Sequence, residues 1–187
     1  MRGTLTLGAA ALLLAACTGQ DPGTVEDPGA ATKAPDSDGP PVTEFDAVEH
    51  DRFDSPWAME FLPGTGELLI TERIGTLQLR DQDSGEVRQV SGTPEVVADG
   101  QGGMHDVVAG PGFEQDRTIY LSCVREAGGG SQGVVGRARL DLQQASLEDL
   151  EVIWRQVPKV SGRGHYGHRL LFDNEGKLWI TSSERQK

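Results

Sequence analysis

The chain is 187 residues long and sets 29 acidic against 17 basic side chains, a formal charge of -12 at pH 7. That balance argues against nucleic acid and anionic lipid headgroups as partners, since both are repelled by a negative surface. The cysteines, Cys17 and Cys123, number only two, too few for a disulfide-stapled scaffold.

The chain opens with Met1-Arg2-Gly3 and then an unbroken small or apolar run from Ala9 to Ala16. The run is too short to span a bilayer and has the form of the h-region of an export signal, the alternative being a buried core helix. Residues 1–16 therefore read as a signal peptide. Leu14-Ala15-Ala16-Cys17 is the pattern at which bacterial lipoprotein precursors are diacylated and cleaved, so Cys17 is expected to be the lipidation residue and the mature N-terminus. Residues 17–42 carry almost no large apolar side chain and cannot offset ordering entropy by burial, which predicts a disordered Pro/Gly/Asp-rich tether behind the lipid. The expected location is the periplasmic or extracellular face of a membrane, reached by export and held by the lipid. With Cys17 assigned to lipid, Cys123 has no partner within the chain. No Lys or His flanks it to lower its thiol pKa, so it reads as a small buried hydrophobe.

From residue 43 to 187 one design recurs: an apolar stretch, a Pro or Gly turn, and a strand ending in Ser or Thr. The first instance runs from Trp57 through Pro63-Gly64 to Thr71, continued by the alternating Gly75-Thr-Leu77-Gln-Leu79-Arg80 as the next strand of a meander. The second runs from Val107 through Pro111-Gly112-Phe113 to Ser122, and a strand is expected from Val134 to Leu140. The third runs from Leu170 through the turn Asp173-Asn-Glu-Gly176 to Thr181. Leu68, Ile119 and Leu178 hold equivalent places, a repeat of roughly fifty residues, which is the period of four-stranded propeller blades. Helical periodicity is nearly absent; Gln143 to Asp149 could form a helical turn but reads better as the link after the strand. The fold class is thus all-β, a β-propeller, with about three blades in residues 43–187. Closed propellers need about four to eight, so the expectation is a truncated, frameshifted or fragmentary propeller, the alternative being self-association of chains through open blade edges.

The chemistry-bearing residues cluster in two loops. In Asp99-Gly-Gln-Gly-Gly-Met-His-Asp106, Gln101 sits between glycines, where backbone can approach a flat ligand and the amide offers both donor and acceptor. In Pro158-Lys-Val-Ser-Gly-Arg-Gly-His165-Tyr-Gly-His168-Arg169, His165 lies just before a strand. Imidazole is the side chain suited to take up a proton near neutrality. No Gly-x-Gly-x-x-Gly follows a strand, so a Rossmann nicotinamide or flavin site has no support. His165-Tyr-Gly-His168 could be read as a metal pair, but strand and loop spacing does not present both rings together and no third ligand is near, so no metal ligand is assigned. Arg169 reads either as a salt bridge at the start of its strand or as a cofactor contact.

These two loops and the strand Leu178 to Thr181 resemble the soluble aldose sugar dehydrogenases that use pyrroloquinoline quinone (PQQ), the glucose/sorbosone dehydrogenase family, over the N-terminal half of the family's length. The resemblance implies a six-bladed propeller and oxidation of aldose sugars at C1. His165 would be the base that takes the C1 hydroxyl proton while hydride passes to the quinone C5 carbonyl. It implies Gln101 in the active site and Glu184 as the acidic residue that orients it, since a carboxylate beside an imidazole sets its tautomer. It implies PQQ and Ca²⁺ as cofactors, with the calcium ligands and most partners of the quinone's carboxylates on blades outside this chain, Gln101, His165 and Arg169 being the cofactor contacts within it. Electrons would leave to a quinone or cytochrome acceptor. Many relatives carry Asp or Asn where this chain has Gly164, and a glycine where it has Ser183. Two other readings share the repeats: a non-catalytic propeller-like module binding a glycan or protein, and an inactive fragment of the dehydrogenase.

Overall fold

The computed structural model describes residues 45–186; the leader, Cys17 and the tether to residue 42 lie outside the described residues. Ten strands arrange as two four-stranded antiparallel sheets and one strand pair. The first sheet holds β1 (Pro56–Phe61), β2 (Glu67–Glu72), β3 (Leu77–Asp81) and β4 (Val87–Val90) in sequence order, and the second holds β5 (Met104–Ala109), β6 (Thr118–Glu126), β7 (Ser131–Asp141) and β8 (Ser146–Arg155). β9 (Gly167–Phe172) and β10 (Leu178–Ser182) pair as the first two strands of a third. The described residues therefore form an all-β propeller portion with two four-stranded blades and a strand pair of another.

The repeat read from Leu68, Ile119 and Leu178 is a repeat of register. Each sits in the second strand of its blade and pairs with the last residue of the first, Leu68 with Phe61, Ile119 with Ala109 and Leu178 with Phe172. Turn chemistry recurs as well. The carboxylates of Asp81, Asp141 and Asp173 each accept backbone N–H groups of the turn that follows, from Asp83 and Ser84, from Gln143 and Gln144, and from Glu175 and Lys177. This is the short aspartate side chain standing in for backbone acceptors at a reversal.

Alternation along β3 buries Leu77 and Leu79 and leaves Gln78 and Arg80 outward. With Leu69 and Val90 they form one apolar cluster with Met104, Val107, Ile119, Leu121 and Leu140 of the second blade, so the core lies between blades rather than within a sheet. The first strands are tied by side chains where no ladder runs: Glu60 Oε1 accepts from Ala109 N (3.0 Å), Thr71 Oγ1 donates to His105 O (2.6 Å), and Ser122 Oγ donates to His168 O (2.7 Å).

Two sequence readings need correction. The single helix among the described residues is α1 (Phe113–Asp116) in the β5–β6 connection, where Phe113 is driven into the core at 1% exposure. Residues 143–149 are not a helical turn, and the link is shorter than expected, because β8 already begins at Ser146. β8 hides in the sequence because of a bulge: Arg137 pairs with Glu151 and Arg139 with Glu148, and the extra residue, with Asp149 at φ 54°, breaks the period-two pattern.

Candidate active site

Three loops meet at the rim where the first strands of the second and third blades begin. The 99–103 loop is tied to the first blade by Arg73, whose Nη2 donates to Ala98 O (2.7 Å) and Gly100 O (2.6 Å). It is tied to the third by Gln101 N donating to Arg163 O at 2.8 Å. Gly100 has φ +57°, and a Cβ there would stand 2.4 Å from Arg163 O. Only glycine permits that approach.

Across this junction Gln101 turns its Oε1 to the backbone N–H of His165, at 2.7 Å. His165 has φ 46°, a left-handed conformation that histidine enters more readily than most residues but still seldom. The bond from Gln101 and another from Arg185 N to His165 O (3.3 Å) hold it there. The imidazole Nδ1 meets Glu184 Oε1, with both side chains about half exposed, 48% and 58%. Among the described residues no hydrogen bond engages Nε2. A carboxylate accepting from Nδ1–H places the lone pair of the neutral ring on Nε2. The structure thus brings Gln101, His165 and Glu184 together.

Arg169 is placed differently. Its Nη1 pairs with Asp106 Oδ1 at 2.9 Å, while the other carboxylate oxygen accepts Leu170 N at 2.8 Å. The salt-bridge alternative is therefore what the structure shows, and the rest of the guanidinium, on a side chain 66% exposed, borders a groove of about 590 Å³ with Trp57 and Met59.

Behind the surface dyad lies an aromatic layer. His105 is buried, stacks on Trp57 with centroids 4.5 Å apart, and donates from Nε2 to Gln101 O at 3.0 Å. Burial pushes its pKa down. It is a sealed support for the Gln101 loop. His168 is fully buried, and its pKa is pushed down to about 3 by burial first and then by the positive charge of His105 and Arg185. Among the described residues neither of its ring nitrogens has a hydrogen-bond partner. The rings of His165 and His168 go to different places, one to Glu184 at the surface and one into the core. Cys123 is a buried free thiol whose pKa is pushed up to about 12 by burial.

Sequence reasoning missed Asp106 and Arg185. Asp106 had a signal, a carboxylate inside the apolar strand Met104–Ala109, which is rare unless the charge is paired. Arg185 had none.

The amide NH₂ of Gln101 and the unused N–H groups of Arg169 are donors that suit carbonyl and carboxylate oxygen, while the lone pair on His165 Nε2 suits a hydroxyl. Such donors are of the type that the oxygens of an anionic quinone need. Among the described residues no group of three or more His, Cys, Asp or Glu could hold a metal ion.

The family described as Glucose / Sorbosone dehydrogenase matches residues 53–187. Aldose sugar dehydrogenase YliI of Escherichia coli (strain K12) is 40% identical over 148 residues, 79% of this chain and 40% of that protein. The crystal structure of a glucose dehydrogenase is 42% identical with a TM-score of 0.68, covering 72% of this chain and 39% of its own. The soluble aldose sugar dehydrogenase from Escherichia coli in its apo form aligns equally well at 40% identity, with 72% and 39% coverage. The PQQ-bound aldose sugar dehydrogenase of Streptomyces coelicolor, at 24% identity and TM-score 0.63, covering 73% and 40%, shares the fold. This chain spans about 40% of the length of these relatives. With the rim geometry and these likenesses together, the chain belongs to the glucose/sorbosone dehydrogenase family.

Proposed function

We propose that this chain is the part of an exported, lipid-anchored oxidoreductase that supplies the base for oxidising aldose sugars at C1 with pyrroloquinoline quinone. The observation that carries the reading is the dyad of His165 and Glu184 with Gln101 holding the His165 backbone. Glu184 accepts from Nδ1–H, so Nε2 takes the proton of the sugar C1 hydroxyl, and the imidazolium so formed lies against the carboxylate. The amide NH₂ of Gln101 and the exposed face of Arg169 would donate to the cofactor's oxygens. When bound, the quinone supplies the two-electron acceptor that no side chain can provide.

Calcium, a quinone or cytochrome electron acceptor, and closure of the ring by further blades or a second copy belong to the same proposal. Met59 and Phe61 on β1 and Leu171 and Trp179 on β9 and β10, all more than half exposed, are apolar surfaces that such closure would cover. The lipid anchor rests on Leu14-Ala15-Ala16-Cys17 and is a feature of this chain's own leader. Cys17→Ser should move the expressed protein from the membrane to the soluble fraction.

The test is titration with PQQ and Ca²⁺, then dye reduction on adding glucose, for wild type and His165→Ala. Loss of about 10²–10⁴-fold in turnover with PQQ binding retained is expected of a general base. Equal turnover by the two proteins would refute the assignment, and sugar or protein binding without oxidation would favour a non-catalytic module.

A further inference from the structure

We propose that Arg185 is a positioning residue that sets both halves of the dyad, holding His165 through its loop and Glu184 through the backbone they share. This rests on reading His165 and Glu184 as the acid–base pair.

Arg185 is only 2% exposed, yet no carboxylate lies within ion-pair distance of its guanidinium among the described residues. Its donors are spent on neutral acceptors. Nε reaches Gly164 O (3.3 Å), Nη1 reaches Ser131 O (3.2 Å) and Gln156 Oε1 (3.0 Å), and Nη2 reaches Ser131 Oγ (3.0 Å) and Gly162 O (2.5 Å). The Tyr166 ring lies over the guanidinium carbon at 3.7 Å from its centroid, a cation–π contact. A buried cation with no counter-ion is costly unless every donor is used.

The acceptors show what the arrangement holds. Gly162 and Gly164 flank Arg163 in the loop that ends at His165, while Ser131 and Gln156 belong to the second blade. One planar fork therefore pins the His165 loop against β7 and the end of β8. The backbone N–H of the same residue donates to His165 O, and Glu184 is the preceding residue. A Cβ on Gly162 would stand 2.0 Å from the backbone oxygen of Arg185, so glycine is needed there for the segment to lie this close. Residues 185 and 186 take left-handed φ values of 66° and 56°, which turns the Arg185 side chain inward directly after the outward Glu184.

The experiment reads the His165 imidazole by long-range ¹H–¹⁵N NMR in the full chain, with no cofactor added. Wild type should show a downfield Nδ1–H and a single tautomer. In Arg185→Met that proton signal should be lost to exchange and the tautomers should mix, with core methyl resonances of Leu69 and Leu140 unmoved. Retention of the signal in the folded variant would overturn the proposal. If Arg185→Met does not fold, Arg185→Lys decides, since it keeps the charge and loses the planar fork. Loss of the Nδ1–H in folded Arg185→Lys supports positioning, and retention overturns it. Failure of both variants to fold also overturns it, because Arg185 would then be a fold residue only. Absence of the Nδ1–H in wild type would sink the dyad itself, a different failure that the wild-type spectrum reports first.

Discussion

Asp106 joins the second blade to the third, and its two oxygens do unequal work. One accepts the buried Leu170 N–H at 2.8 Å; the other meets Arg169 Nη1 at 2.9 Å on a side chain that is 66% exposed. In Asp106→Ala the arginine can turn to water, so the ion pair contributes about 0–1 kcal/mol. The Leu170 amide cannot, and a buried donor left without an acceptor costs about 1–3 kcal/mol. The sum is about 1–4 kcal/mol, or roughly 2–16 °C in Tm at about 2–4 °C per kcal/mol. Asp106→Asn keeps an acceptor for Leu170 and should lose about 1 kcal/mol, and Arg169→Ala should lose less than about 1 kcal/mol. Urea and thermal unfolding of the three variants give the ranking. If Arg169→Ala destabilises as much as Asp106→Ala, the exposed ion pair and not the buried amide carries the energy, and the reasoning fails.

Other consequences follow from buried groups. A Cβ added at Gly133 would lie 1.9 Å from Cε1 and Nε2 of His168, so Gly133→Ala should cost about 1–3 kcal/mol as overpacking, and His168→Ala should recover most of it in the double variant; no recovery in the urea midpoint would contradict this packing. Because His168 is held neutral in the fold, with a pKa of about 3, while the unfolded chain protonates it near 6.5, stability should be full above about pH 6.5 and fall toward pH 3 at up to about 1.4 kcal/mol per pH unit. His105 shifts in the same direction. Urea midpoints from pH 7 to 4.5 should fall less steeply in His168→Leu, and an unchanged slope would exclude His168 as the source. Cys123, with its thiol pushed up to about 12, should resist alkylation at pH 8 and react only in urea, as read by mass mapping of its peptide.

Much of the fold was legible because strand periodicity and turn chemistry are local. Leu77 and Leu79 alternate with Gln78 and Arg80, and Asp173-Asn-Glu-Gly176 makes the reversal that its residues favour, so these segments could be read without knowing their neighbours. β4 and β8 escaped for local reasons too: one is four residues long and the other is broken by the bulge at Asp149. The loops holding Gln101 and His165 were recognisable by pattern, as was Cys123 as a small buried residue.

Local sequence therefore sufficed for most of the strands, for the register equivalence of Leu68, Ile119 and Leu178, and for the loops that carry polar groups at their ends. Which of those groups meet was decided only by tertiary structure. Gln101 and His165 are 64 residues apart, Asp106 and Arg169 63, and Arg185 and Ser131 54. No periodicity runs over such intervals. Their meeting depends on how one twisted blade stacks against the next through a shared apolar core, which brings the starts of β5 and β9 to one rim. The same packing seals His168 and Arg185 from water while leaving His165 at the surface, although His165 and His168 stand only three positions apart in the chain.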